Sequence, residues 1–325
     1  MREFEVEGTL SSITARLNEV AENFQSTWFR GQPNYGHKLT PSIFRQGSLF
    51  GVTYQEQKMF EEFKRRYPDQ SASHKTTYEW LTLMQHYGLP TRLLDWSSNL
   101  LVGLYFCCIN DQENDGALFV FDPTYMEDLN KFNELLEMQV QEKSRSDFFH
   151  RIIYHLDTML DGDCKLNGIP IHELRSDLFK RMKYCGLATD SNATFDSLET
   201  KIELPNTRDL DGKIIPFVFS DIKRAFSNIV PFRAPHLNPR IRQQHGYFTF
   251  HGGMFIDGNE FIPVGEMEDE MYTGSFLIKL RILKEHKVKI LKELSYAGIK
   301  EATLFPEMEY QAREIKLLYS SKVGL

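Results

Sequence analysis

Along residues 9–24, TLSSITARLNEVAENF, the apolar positions Ile13, Leu17 and Val20 recur at helical spacing, and Ser11 or Ser12 stands ready as a cap. STWFRG then predicts a short strand, and PNYGHKLTPSIFRQG a loop punctuated by proline and glycine. Residues 53–67, TYQEQKMFEEFKRRY, mix apolar and charged side chains as an exposed amphipathic helix does. TTYEWLTLMQHYG predicts a more buried helix, with Gly88 at its C-terminal cap. LPTRLLDW has strand character. SSNLLVGLYFCCIN is apolar on every side and predicts a central helix capped by Ser97 or Ser98, and DGALFVFDP is a strand between turn signals.

The pattern changes from about residue 124 to 215, where a long charged helical stretch, YMEDLNKFNELLEMQVQEKSRSDFFHRIIYHLD, is followed by a polar, loop-like one. This stretch reads as a mostly helical insertion at 124–215 within a single domain spanning 1–325. Strand and loop return in IPFVFSD and in FSNIVPFRAPHLNPRIRQQHGYFTFHGG. GSFLIKLRILKEHKVKILKEL predicts a strand and a helix, and GIKEATLFPEMEYQAREIKLLYSS a turn and a final helix. Strands and helices mix without regular βαβ alternation, so the expected class is α+β with a mixed or antiparallel sheet, not a doubly wound fold.

Composition changes this picture little. The chain has 325 residues, 41% of them hydrophobic and 26% charged, which is ordinary for a globular protein. Its formal net charge of −7 offers no whole-molecule attraction to nucleic acid or anionic membrane. No apolar run approaches the roughly 20 residues that span a bilayer, and MREFEVEGTLSS lacks the apolar core of a signal peptide. Four cysteines, Cys107, Cys108, Cys164 and Cys185, are too few and too irregular for a disulfide framework. These features lead us to expect a cytoplasmic location with no membrane partner.

Three stretches carry candidate chemistry. In TWFRGQPN, Arg30 leaves a buried strand beside Gly31. A guanidinium there offers bidentate hydrogen bonds to a phosphate or carboxylate, and the glycine would let the anion approach. The competing reading is a salt bridge that anchors a loop. In QHYGLPTRLLDWSSN, Gln85, His86, Arg92, Asp95 and Ser97 gather around one strand. Strand parity puts Arg92 and Asp95 on opposite faces, so each needs a partner of its own; the competing reading is a polar network joining helix, strand and helix. In NPRIRQQHGYFTFHGG, Arg242 could bind phosphate, and Gln243 or Gln244 an amide or ribose. His245 and His251 would lie roughly 20 Å apart in an extended strand, so no shared metal is expected. Dinucleotide-fingerprint, P-loop, HExxH, paired CxxC and GxSxG motifs are absent, so any phosphate-directed chemistry rests on arginines.

Phe29-Arg30-Gly31, QHYGLPTRLLDWSSNLLVGLYFCC, RIRQQHGYFTF and AGIKEATLFPEMEYQAREIK, in that order, resemble four blocks of the FRG domain family, named for its aromatic–Arg–Gly motif. The resemblance covers about 20–122 and 220–320. Members look like bacterial or phage-encoded factors, some tied to phage defence, and the expectation for this chain is a toxin or phage-defence effector. More distantly, the chain is similar to ADP-ribosyltransferases of the R-S-E type. That similarity implies their fold, NAD as substrate, and Arg30 at the phosphates or ribose of NAD. It also sets Ser97 and Ser98 near the serine motif, with Gly103 and Phe106 in the following helix. Where that family carries its third-motif glutamate this chain has Gln243 and Gln244, leaving Asp95, Glu307 or Glu309 to supply negative charge.

The resemblance implies an enzyme that transfers ADP-ribose from NAD to a protein or nucleic-acid acceptor, or hydrolyses NAD, without a metal. Arg30, Gly31, Arg92, Ser97 and Gln244 would bind the nucleotide, and Asp95, His86 and Gln243 would act on it. The alternative is a non-catalytic sensor module that binds a nucleotide or a protein.

Overall fold

The computed structural model of the protein describes residues 1–45, 54–126, 227–256, 259–262, 267–268 and 276–320, with shorter stretches between 137 and 216. In chain order the strands are β1 (Arg2–Val6), β2 (Trp28–Gln32), β3 (Leu93–Ser97), β4 (Gly116–Phe121), β5 (Lys165–Leu166), β6 (Ile169–Pro170), β7 (Ile202–Glu203), β8 (Asn206–Arg208), β9 (Ile214–Pro216), β10 (Ile229–Phe232), β11 (Gly246–His251), β12 (Met254–Ile256), β13 (Asn259–Ile262) and β14 (Leu277–Ile282). The helices are α1 (Leu10–Val20), α2 (Glu56–Arg66), α3 (Thr77–His86), α4 (Leu100–Cys108), α5 (Pro239–Gln243), α6 (Lys284–Tyr296), α7 (Glu301–Leu304) and α8 (Met308–Leu318).

Seven strands form one sheet in the order β1-β14-β4-β2-β3-β11-β10. β1 runs parallel to β14, and the other neighbours are antiparallel. The protein is therefore α+β with a mixed sheet. β4 is buried at all six positions, as a central strand covered on both faces must be. Its side chains divide by the period of two. Leu118 and Val120 join a core with α1, α4 and α6, whereas Ala117, Phe119 and Phe121 join Trp28, Leu94 and Trp96 on the other face. A third core, around Phe60, Trp80, Leu93 and Phe248, lies under α2 and α3.

β2 and β3 are joined by a single pair, Phe29↔Ser97. The flanking ladders are longer: β2 pairs with β4 over its five residues, and β3 with β11 over five. The sheet thus parts between β2 and β3, with α4 to one side and α3 and α5 to the other.

Local chemistry corrects three sequence readings. The cap of α1 is Thr9, which with Ser12 forms a capping box. The cap of α4 is Asn99, whose Oδ1 accepts from the Leu101 N–H at 2.9 Å, so neither Ser97 nor Ser98 fills that role. NPRIRQQ, read as loop, opens with Asn238 as cap and Pro239 at the first turn of α5. The segment 124–215 lies largely outside the described residues; those described there include helical positions 139–141 and the short strands β5 to β9.

Candidate functional site

A cavity of about 350 Å³ opens where the sheet parts. β2 supplies Arg30 and Gly31, β3 supplies Asp95 and Ser97, the end of α3 supplies Gln85 and His86, and α5 and its cap supply Arg240 and Gln244. Apolar walls come from Phe29, Phe106, Phe248 and Phe305. The volume falls within the ~300–1,000 Å³ typical of small-ligand sites, and mixed apolar walls with a few convergent polar groups are their usual character.

Arg30 is not at a strand end, as the sequence suggested, but the third of the five residues of β2, paired with Phe119 of β4. It reaches this space because β2 and β3 share only the pair Phe29↔Ser97. Its Nη1 donates to the backbone carbonyl of Asp95 at 2.7 Å and lies 3.7 Å from the Asp95 carboxylate. Nε is buried without a hydrogen-bond partner among the described residues. Burial lowers the Arg30 pKa, the Asp95 carboxylate opposes that shift, and the neighbouring Arg45 adds to it. An arginine stays charged through such shifts. Asp95 is the one exposed position in β3, and its Oδ1 accepts from Gln85 Nε2 at 2.7 Å. Gln85 Oε1 in turn accepts from the Thr91 hydroxyl, which fixes the amide's orientation.

His86 closes α3. Its Nδ1 is buried and without a hydrogen-bond partner among the described residues. Burial lowers the His86 pKa below the ordinary histidine value; the charge of Arg240 lowers it further and that of Glu307 opposes. The imidazole is therefore neutral at pH 7. Arg240 lies 4.5 Å from the ring centroid of Phe305 and 3.4 Å from Glu307 Oε1.

Of the residues singled out from sequence, Arg30, Gly31, His86, Asp95, Ser97 and Gln244 line the cavity, and Arg92 and Gln243 do not. Arg92 is 2% exposed. Its guanidinium is consumed by Glu56 Oε2 at 2.5–2.8 Å, Gln139 Oε1 at 2.8 Å, and the carbonyls of His251 and Gly253. That makes it a core crosslink between α2, β3 and the start of the middle segment, and corrects the expectation that it contacts a ligand. Gln243 is exposed at the end of α5, which turns its neighbour inward. Gln244 Nε2 donates to the Leu304 carbonyl at 3.2 Å, and its own backbone carbonyl accepts from the Ser97 hydroxyl at 2.7 Å. Ser97 Oγ also accepts from the Asn99 N–H at 3.0 Å, so Ser97 ties α5 to α4.

Gly31 serves packing, not anion approach. A Cβ there would lie 2.0 Å from the Gly103 carbonyl oxygen and 2.4 Å from the Cys107 nitrogen. A Cβ on Gly103 would meet Phe29 Cβ at 2.9 Å. The two glycines bring α4 onto β2. Arg240 escaped the sequence reading because neither the short helix that carries it nor its approach to Phe305, 65 residues on, shows in a local pattern. Arg45, charge-coupled to Arg30 and Asp95, was passed over within a loop.

Among the described residues no group of three or more His, Cys, Asp or Glu side chains could hold a metal ion, and no helix is long and apolar enough to cross a membrane. In comparisons with known proteins, residues 25–116 match the family model of the FRG domain. No curated protein and no solved structure matches the chain.

Proposed function

Because the chain carries an FRG domain over residues 25–116, the stretch that builds β2, α3, β3 and α4, we propose that this domain binds NAD in the cavity and cleaves its nicotinamide–ribose bond, as an ADP-ribosyltransferase or NAD hydrolase. The observation that carries this reading is Arg30. A half-open guanidinium, its Nε unpartnered among the described residues, sits on a cavity that also presents a carboxylate, Asp95, and a neutral imidazole, His86. Arg30 keeps 15% of its side-chain surface accessible and lines the cavity, where a phosphate oxygen would meet it.

In the proposed reaction the bond between ribose C1′ and the nicotinamide nitrogen breaks, and its electron pair leaves with nicotinamide, neutralising the pyridinium. Asp95, fixed by Gln85, stabilises the positive charge that develops on the ribose. Water or an acceptor group adds to C1′ and gives its proton to His86. Asp95 takes the part for which Gln244 lacks the charge.

The test is incubation of the purified protein with NAD, followed by chromatography for nicotinamide. The wild type should release it, and Asp95→Ala should reduce release by about a hundredfold, the scale of losing a transition-state stabiliser. Release equal to a protein-free blank would overturn the enzymatic reading. One observation favours a second, non-catalytic reading: Arg30 already has Asp95 as an internal partner. A nucleotide-binding sensor would bind NAD without releasing nicotinamide.

A further inference from the structure

The arginine–carboxylate pairs that border the cavity differ from the other pairs among the described residues. Arg92–Glu56 closes to 2.5 Å, Arg281–Asp115 to 2.6 Å and Arg313–Glu301 to 2.6 Å. Charge-assisted hydrogen bonds ordinarily fall near 2.7–2.9 Å. At the cavity, Arg30–Asp95 stands at 3.7 Å and Arg240–Glu307 at 3.4 Å. Neither contact is a hydrogen bond. The Nε atoms of both arginines and Oε2 of Glu307 are buried with no hydrogen-bond partner among the described residues.

Arg240 is held off its carboxylate by other contacts. Its guanidinium lies over the Phe305 ring, 4.5 Å from the centroid, and Phe305 is backed by Tyr310 with ring centroids 4.6 Å apart. Nη2 points to the Tyr310 hydroxyl at 3.5 Å. Cation–π contact and a rigid stack fix the position of the charge while leaving hydrogen-bonding capacity unspent. Arg240 and Arg30 come from elements on different sides of one cavity, α5 and β2.

We propose that Arg240 is a second anion-binding residue of this cavity and that Arg30 and Arg240 together clamp a diphosphate, one phosphate group to each guanidinium. The proposal rests on the nucleotide reading above and narrows its ligand to nucleoside diphosphate esters over mononucleotides. Asp95 and Glu307 act as placeholders: each stabilises its arginine in the empty site at a distance from which an incoming phosphate oxygen can displace it.

The experiment is calorimetric titration of the wild type, Arg240→Gln and Glu307→Gln with ADP-ribose and with AMP, folding being checked by circular dichroism. Arg240→Gln should weaken ADP-ribose binding on the order of tenfold, the worth of one charge-assisted hydrogen bond, and leave AMP, seated on Arg30, within about twofold. Glu307→Gln, which removes the competing carboxylate while Phe305 and Tyr310 still place Arg240, should tighten ADP-ribose binding. If Arg240→Gln changes neither ligand, or weakens both equally, or if Glu307→Gln weakens ADP-ribose binding, the clamp is wrong and the nucleotide reading stands. If the wild type binds neither ligand, both fall.

Discussion

His86 shows how the titration of a single side chain is set by what surrounds it. Burial and the Arg240 charge both disfavour its protonated form, against the weaker pull of Glu307. Its folded pKa therefore lies below the unfolded value near ~6.5. The folded state binds fewer protons than the unfolded one as pH falls through that window, so the linkage slope is positive and stability rises with pH. The contribution of His86 is fully present above the unfolded value and is lost as pH falls toward the folded pKa. Urea unfolding at pH 7.5 and pH 5.5 measures this. His86→Asn should lose less stability on acidification than the wild type does; an equal loss would show that the imidazole is not penalised when charged. Under the proposed NAD cleavage, nicotinamide release should fall once the pH is low enough to protonate the folded imidazole. A histidine near a helix end was legible in QHYGLPTR. Its depressed pKa was not, because Arg240 lies 154 positions away in the sequence.

At the scale of elements, the cavity exists because α4 lies close on β2, and that closeness comes from Gly31 and Gly103. A methyl group on Gly31 would have to displace backbone, the Gly103 carbonyl oxygen at 2.0 Å and the Cys107 nitrogen at 2.4 Å; no side-chain rotation relieves it. Gly31→Ala should therefore cost about 3 kcal/mol or more, at the upper end for overpacking. Gly36→Ala, whose added carbon meets only the Asn34 Oδ1 at 3.2 Å, should stay within about 0.5 kcal/mol. Thermal unfolding of the two variants checks the contrast, and equal melting temperatures would refute it. The aromatic–Arg–Gly run announced a special place in the chain, yet the glycine's purpose was misread. A ligand phosphate and a helix backbone make the same demand on a missing Cβ, and only the three-dimensional neighbour distinguishes them. The main elements themselves were legible wherever periodicity was strong, as in α1, α3, α4 and β4. β1 was missed: REFEV alternates, but four of its five positions are exposed or half-buried at a sheet edge, so the pattern carries little apolar signal.

For the molecule as a whole, Arg92 decides how the middle segment relates to the sheet. Sequence alone presents 124–215 as an insertion, which suggests that it can be removed. Yet Gln139 Oε1 accepts from both Arg92 Nη1 at 2.8 Å and the Gly253 N–H at 3.1 Å. The Gln139 carbonyl accepts from Gln57 Nε2 at 3.1 Å, and Val140 is fully buried in the core under α2 and α3. Arg92 was legible as a charge in need of a partner. Its partners were not, because Glu56 and Gln139 lie 36 and 47 positions away, beyond the reach of any local pattern. Two charged residues three apart thus met opposite fates, Arg92 in the core just before β3 and Asp95 at the cavity within it. Replacing 124–215 by a short flexible linker should accordingly abolish cooperative unfolding, since it strips a buried guanidinium of an acceptor and opens the third core. Gln139→Ala isolates the polar part of that loss and should cost about 1–3 kcal/mol, read from the shift in urea midpoint. A linker variant that melts as the wild type does would mean that the sheet stands without the segment, and that the Arg92 network contributes little to holding β3, and with it Asp95, against the cavity.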